Sequence, residues 1–267
     1  MPFALIGYFL AIHPEDSVFS WKLFVLVVLC MIFARNAAMS FNRVTDRFID
    51  KRNPRTASRE IPAGVIHPRN AFIFTVINAI LFILTTYLIN KLVFYLSPVA
   101  LFIVLIYSYT KRFTILCHFV LGLGLGLAPI GAYLAVTGEW NYIPLIFSLI
   151  IFLWVAGFDI LYSIQDEQFD KEESLKSLPA IYGRVKAQIV SAMLHAIVTF
   201  LVVKIGVVLN SGTLYWIGAV AFIALLVIHH LIVISTKDEK KFNVAFATLN
   251  GTSSIVYAFF TILSFYY

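Results

Sequence analysis

The chain has 267 residues, 61% hydrophobic and only 13% charged, with 25 Phe, 13 Tyr and a formal net charge of +6. Soluble domains average about 45–50% apolar and about 25% charged residues, so this composition cannot clothe a water-facing surface. It excludes a soluble enzyme, a nucleic-acid-binding module and a secreted disulfide scaffold, and it reads as an all-α polytopic membrane protein whose positive charge belongs to loops on one side.

Crossing about 30 Å of hydrocarbon takes about 20 helical residues. The first apolar run, Pro2–Ile12, has 11 and reaches roughly half way. It reads as the second half of a truncated first span, which predicts residues upstream of Met1. Nothing basic precedes it, as a cleavable signal peptide would require. Full spans follow at about 19–41, 70–89, 92–110, 113–137, 142–162, 187–208, 213–235 and 244–266. The expectation is about nine transmembrane helices in one domain over residues 1–267, arranged as two four-helix units plus one around a central cavity. Cys30 and Cys117 both sit in apolar runs and read as small buried hydrophobes rather than ligands.

The loops alternate in charge. Loop 42–69 carries Arg43, Arg47, Lys51, Arg52, Arg55, Arg59 and Arg69, and loop 110–113 carries Lys111 and Arg112. Loop 163–186 carries Lys171, Lys176, Arg184 and Lys186, and loop 236–243 carries Lys237, Lys240 and Lys241. The opposite side has only Lys22, Lys91 and Lys204. This bias puts the long loops in the cytoplasm, with the amino end inside and the carboxyl end outside.

Two of the cytoplasmic loops open with aspartates. Asn42, Asp46 and Asp50 recur every four residues, as do Tyr162, Asp166 and Asp170, with Asp159 one turn earlier. Each step of four drifts only about 40° around a helix, so each set projects from one face. The two sets lie at the cytoplasmic ends of the second and sixth helices, which run the same way through the membrane. Facing one another across a cavity, Asp46, Asp50, Asp166 and Asp170 would repel and need cations. Such hard oxygen donors suit Mg²⁺, which typically uses one or two carboxylates plus substrate phosphates. The neighbouring arginines then suit a diphosphate.

These motifs resemble the NxxxDxxxD and YxxxDxxxD signatures of UbiA-type intramembrane prenyltransferases. The stretch Asn53-Pro-Arg-Thr-Ala-Ser-Arg-Glu-Ile-Pro-Ala-Gly64 resembles the following loop in the 4-hydroxybenzoate polyprenyltransferase branch, and Tyr107-Ser-Tyr-Thr-Lys-Arg112 resembles that family's basic patch before the fifth helix. The likeness runs from about residue 20 to the end. It implies a lipid-open cavity capped by the loops at about 42–69 and 163–186. It implies Mg²⁺ held by Asp46, Asp50, Asp166 and Asp170, with a polyprenyl diphosphate and an aromatic acid as substrates. It also implies quinone biosynthesis at the inner or plasma membrane of a prokaryote-type cell, with the site facing the cytoplasm. Asn42 is expected to orient a metal or the diphosphate, and Arg43, Arg47, Lys111 and Lys176 are diphosphate-clamp candidates. Arg43 and Arg47 are equally well read as ordinary inside-facing charges. Asp159 is assigned to the acceptor or the diphosphate, and Tyr162 to either substrate. A naphthoate acceptor of menaquinone-type synthesis stays open.

Arg35 lies near the face of Asn42, within the span, and must face the protein interior. It either binds the acceptor's carboxylate or pairs with an acid. Gly122, Gly124, Gly126, Pro129 and Gly131 punctuate the fifth span and read as close helix packing or as room for the prenyl chain, and the adjacent His229 and His230 point about 100° apart, a poor metal pair. Intramembrane acids would also fit an ion-coupled transporter, but a transporter places them near the midplane, on broken helices. Here they cluster at one interface.

Overall fold

A computed structural model describes residues 2–13, 19–235 and 239–267. All regular structure among them is helical. Lys237 lies outside the described residues, as do the side chains of Lys240 and Lys241.

The local chemistry that starts and stops each helix is explicit. Helix α1 spans Pro2–Ile12. Helix α2, Trp21–Thr45, begins at Ser20, whose hydroxyl accepts the Leu23 amide. The short α3 covers Arg47–Arg52, and Pro68 opens α4, Pro68–Tyr87, where its missing N–H costs nothing. Asn90 caps α5, Lys91–Thr110. Helix α6, Cys117–Thr137, ends at Gly138 with φ +68°, the left-handed conformation glycine adopts without strain. Asn141 caps α7, Tyr142–Ser163, and a 3₁₀ turn at Ile164–Asp166 leads into α8, Glu167–Glu172. Helix α9, Leu178–Tyr182, precedes α10, Arg184–Val208, then α11, Thr213–Ser235, and α12, Glu239–Leu263.

Among the described residues, seven helices are long and apolar enough to cross a membrane: α2, α4, α5, α6, α7, α10 and α11. Helix α12, Glu239–Leu263, takes in most of the span expected at 244–266, whereas α1 has only 11 residues. Neighbours in sequence pack side by side, and α1 closes the bundle between α6 and α12. Despite its length α1 is firmly seated. Ile6 and Tyr8 are fully buried, and Phe3 meets the Trp154 ring edge-on at 5.1 Å. Its Gly7 rests on the backbone of α6, where a Cβ would come within 2.0 Å of the Pro129 carbonyl oxygen. Gly122 and Gly126 let α6 press closely on α7, where a Cβ would come within 2.4 and 3.0 Å of the Phe152 and Ser148 carbonyl oxygens.

The two aspartate arrays are built alike. The expected continuous helical stripes are interrupted at the middle aspartate of each motif. Asp46 ends α2 and starts α3 with φ −90° and ψ 2°; Asp166 closes the turn after α7 and starts α8 with φ −95° and ψ 5°. Each break sits in the sparsely populated bridge region, and each is followed by a helix of six residues. Across the first break the amides of Asp46 and Asp50 still bond the carbonyls of Asn42 and Asp46. The face is therefore kept although the helix axis changes.

Candidate active site

Both arrays meet in one cavity of about 110 Å³. Asp46, Asp50, Asp166 and Asp170 all line it, together with Arg55, Arg59, Lys111 and Arg112. Asp50, Asp166 and Asp170 are buried, and a buried charge is tolerated only when paired. Each carboxylate has its own cation. Arg112 reaches Asp46 at 3.1 Å, Arg59 donates to both oxygens of Asp50 at 2.8 and 2.9 Å, and Lys111 stands 2.8 Å from Asp170. Arg55 grips Asp166 with two nitrogens and donates a third bond to the Tyr162 hydroxyl at 3.1 Å, its guanidinium over the Tyr162 ring. Two of these pairs tie the chain's halves together, since Arg55 and Lys111 belong to the first and Asp166 and Asp170 to the second.

Neutral partners complete the shell. Asn42 donates to Asp46 Oδ2 at 2.8 Å, Asn53 to Asp166 Oδ1 at 3.0 Å, and the Ser177 hydroxyl to Asp170 Oδ2 at 2.6 Å. Burial pushes the Asp46 carboxyl above its ordinary range despite Arg112, with Asp50 adding repulsion. Burial acts on Lys111 the other way, but Asp170, Asp166 and Asp159 outweigh it and hold the ammonium above its usual value. The first carboxylate is thus short of positive charge while the lysine stays cationic.

The other expected residues lie around this chamber. Asp159, on α7, sits seven residues and about 10 Å deeper than Asp166, its Oδ2 2.7 Å from His118 Nδ1. Arg35 is similarly deeper than Asn42 on α2, exposed, with Nε 3.4 Å from the Met39 sulfur. Arg47 turns aside: it donates to the Val44 carbonyl at 2.6 Å and lies over the exposed Phe48 ring. Arg43 and Lys176 are outside the cavity lining, and Lys176 contributes its backbone amide to the Lys111 carbonyl at 2.6 Å. In sequence Arg55 and Arg59 stood among the loop charges and, with Asn53, in a family-like loop; neither reading assigned them a carboxylate. His118, a lone histidine in an apolar run, gave none.

Hard oxygen donors from both arrays on one wall are the chemistry a divalent cation requires, and the paired cations show that the carboxylates are charged. Among the described residues no three Asp, Glu, His or Cys side chains converge on one point, and each chamber aspartate is instead paired with an arginine or Lys111. The donor set fits Mg²⁺ if those cations exchange their carboxylates for an incoming anion.

Fold and site together define a polytopic helical membrane protein with a charge-balanced chamber at one end of its spans. The profile of the UbiA prenyltransferase family matches residues 1–260. The chain belongs to this family of intramembrane prenyltransferases. It is 29% identical over 240 residues to a 4-hydroxybenzoate octaprenyltransferase from Vesicomyosocius okutanii, covering 88% of this chain and 86% of that protein. It is 31% identical over 211 residues to the protein of that name from Aliivibrio salmonicida, covering 77% and 72%. The apo structure of a UbiA homologue from Aeropyrum pernix superposes with a TM-score of 0.87 at 26% identity, over 98% of this chain and 96% of that one. A UbiA homologue from Archaeoglobus fulgidus, bound to GPP and Mg²⁺, shares the fold with a TM-score of 0.71 at 23% identity, over 98% and 95%.

Proposed function

We propose that this prenyltransferase moves a polyprenyl group from its allylic diphosphate to 4-hydroxybenzoate or a close analogue, with Mg²⁺, at the cytoplasmic face of a bacterial-type inner membrane. The observation that carries the reading is the chamber itself, where four carboxylates and four cations from both halves share one small cavity. Such a site is neutral. A diphosphate brings about three negative charges, so it needs added positive charge to be held out of water. Asp46, Asp50, Asp166 and Asp170 would hold Mg²⁺, with Asn42 and Asn53 fixing the first and third. Bound there, the metal supplies positive charge to the diphosphate oxygens.

The protein's own groups do the rest. Arg55, Arg59, Lys111 and Arg112 release their carboxylates and clamp the diphosphate, so charge on the leaving oxygen is neutralised as the allylic C–O bond breaks. The electron pair departs with the diphosphate, leaving an allylic cation. Apolar span walls beneath the chamber keep water from quenching it. Arg35 pairs with the acceptor's carboxylate about 10 Å below Asn42. That orients the ring so that the carbon beside its hydroxyl forms the new C–C bond, and Asp159 takes the displaced ring proton. The support for this acceptor is the pair of relatives of that name together with Arg35, which among the described residues meets the Met39 sulfur and forms no ion pair.

Purified protein in detergent, given Mg²⁺, a polyprenyl diphosphate and a panel of hydroxybenzoates and dihydroxynaphthoates, tests this by product mass. The expected product is the hydroxybenzoate with one hydrogen replaced by the prenyl chain. Transfer confined to the naphthoates would sink the acceptor assignment.

A further inference from the structure

His118 lies one residue inside α6, is 1% exposed, and has no part in the chemistry above. Both ring nitrogens are engaged. Nε2 accepts the backbone amide of Leu178, the first residue of α9 in the second cap, at 3.2 Å. Nδ1 lies 2.7 Å from Asp159 Oδ2. A backbone amide can only donate, so Nε2 carries no hydrogen, and the ring's proton sits on Nδ1, aimed at Asp159. The Leu178 amide thereby selects the tautomer. Asp159 has one oxygen fixed in this way, while its side chain remains 28% exposed. The residue before Leu178 is Ser177, which bonds Asp170. One short cap segment therefore braces a carboxylate at the diphosphate end and, through His118, the deeper carboxylate at the acceptor end.

We propose that His118 is a positioning residue for Asp159. Pinned by Leu178, the imidazole holds the carboxylate so that its free oxygen meets the ring hydrogen of the aromatic acceptor. This rests on the reading of Asp159 as the proton acceptor. In that step the C–H bond at the alkylated ring carbon breaks, its electron pair restores the aromatic ring, and the proton goes to Asp159 Oδ1, leaving to water before the next turnover.

The test compares His118→Gln, His118→Asn and His118→Leu, alone and with Asp159→Asn, in the Mg²⁺-dependent assay with ordinary and ring-deuterated 4-hydroxybenzoate. A glutamine amide offers one acceptor and one donor and can replace both ring contacts. It should keep kcat within about threefold of wild type. Leucine removes both, and a misplaced reacting group costs up to about 10²-fold. The leucine variant should lose about 10–100-fold in kcat, gain a ring-deuterium isotope effect on kcat, and leave the KM for the diphosphate unchanged. Added to Asp159→Asn it should cost little more. Asparagine keeps only the Asp159 donor and should fall between the two. If the leucine variant does not fold, the asparagine variant's isotope effect decides. Equal losses for Gln and Leu, no isotope effect in any variant, or a full further loss in the Asp159→Asn background would each overturn the proposal. Wild-type protein that prenylates no aromatic acid would instead fail the functional reading, before any variant is measured.

Discussion

Asp46 and Asp166 occupy equivalent joints, and the same backbone turn presents each carboxylate to the chamber. Replacing either by Asn keeps the shape but removes one negative ligand. Asp46→Asn and Asp166→Asn should each slow prenyl transfer by about 10²–10³-fold at unchanged fold, the usual cost of losing a charge-stabilising group. The double variant should be little worse than either single one, because groups acting as a unit fail together. Both singles near wild-type turnover would mean that the arrays hold no metal used in catalysis. Arg35 gives a cleaner separation of substrates. Arg35→Gln should raise the KM for the aromatic acid at least tenfold while the KM for the diphosphate stays within about twofold, since a lost charged hydrogen bond costs about 1.5–3 kcal/mol. A rise in the diphosphate KM instead would move Arg35 to the other substrate. The surface pair of Arg52 with Glu173 should matter little, because exposed ion pairs contribute about 0–1 kcal/mol.

At the scale of elements, helix contacts set by glycine can be told from glycines that merely occur. A Cβ at Gly7 would collide with the backbone carbonyl of Pro129, so α1 must move for any larger residue to fit. Gly131, on the same α6, would meet nothing within 4 Å. Gly7→Ala should therefore lower the melting temperature in detergent by several degrees, in keeping with an overpacking cost of about 1–3 kcal/mol. Gly131→Ala should leave it unchanged or raise it, since alanine favours helix by about 1 kcal/mol over glycine. Equal responses at the two sites would show that α1 is loosely held. The glycine run in α6 announced close packing from sequence. That Gly7, in the 11-residue α1, makes the tightest approach did not show, because a close contact is a property of two helices that are far apart in the chain. The same holds at the caps. The period-four aspartates marked a face, but the joints at Asp46 and Asp166 bend the helix exactly where no proline or glycine warns of it.

For the molecule as a whole, the charge bias of the loops makes a direct prediction of sidedness. With Cys30 and Cys117 replaced by Ser, a cysteine at the exposed Ser58 should react only with reagents that reach the cytoplasm. One at the exposed Glu139 should react from outside. The reverse pattern would put the chamber on the other face. Composition and the 20-residue apolar periods determined by themselves that this chain lives in a bilayer. The paired aspartate spacing marked four residues that line one chamber, because a membrane leaves few places for charge and each exception is visible. What only the tertiary structure decided is which cation answers which carboxylate. Arg55 and Arg59 were two of many loop charges until folding brought Arg55 to Asp166, 111 residues away, and His118 was a lone polar residue until α6 met α7 and α9. Electrostatic pairing and hydrogen bonding act over a few ångströms of space, and no spacing along the chain encodes a distance across it.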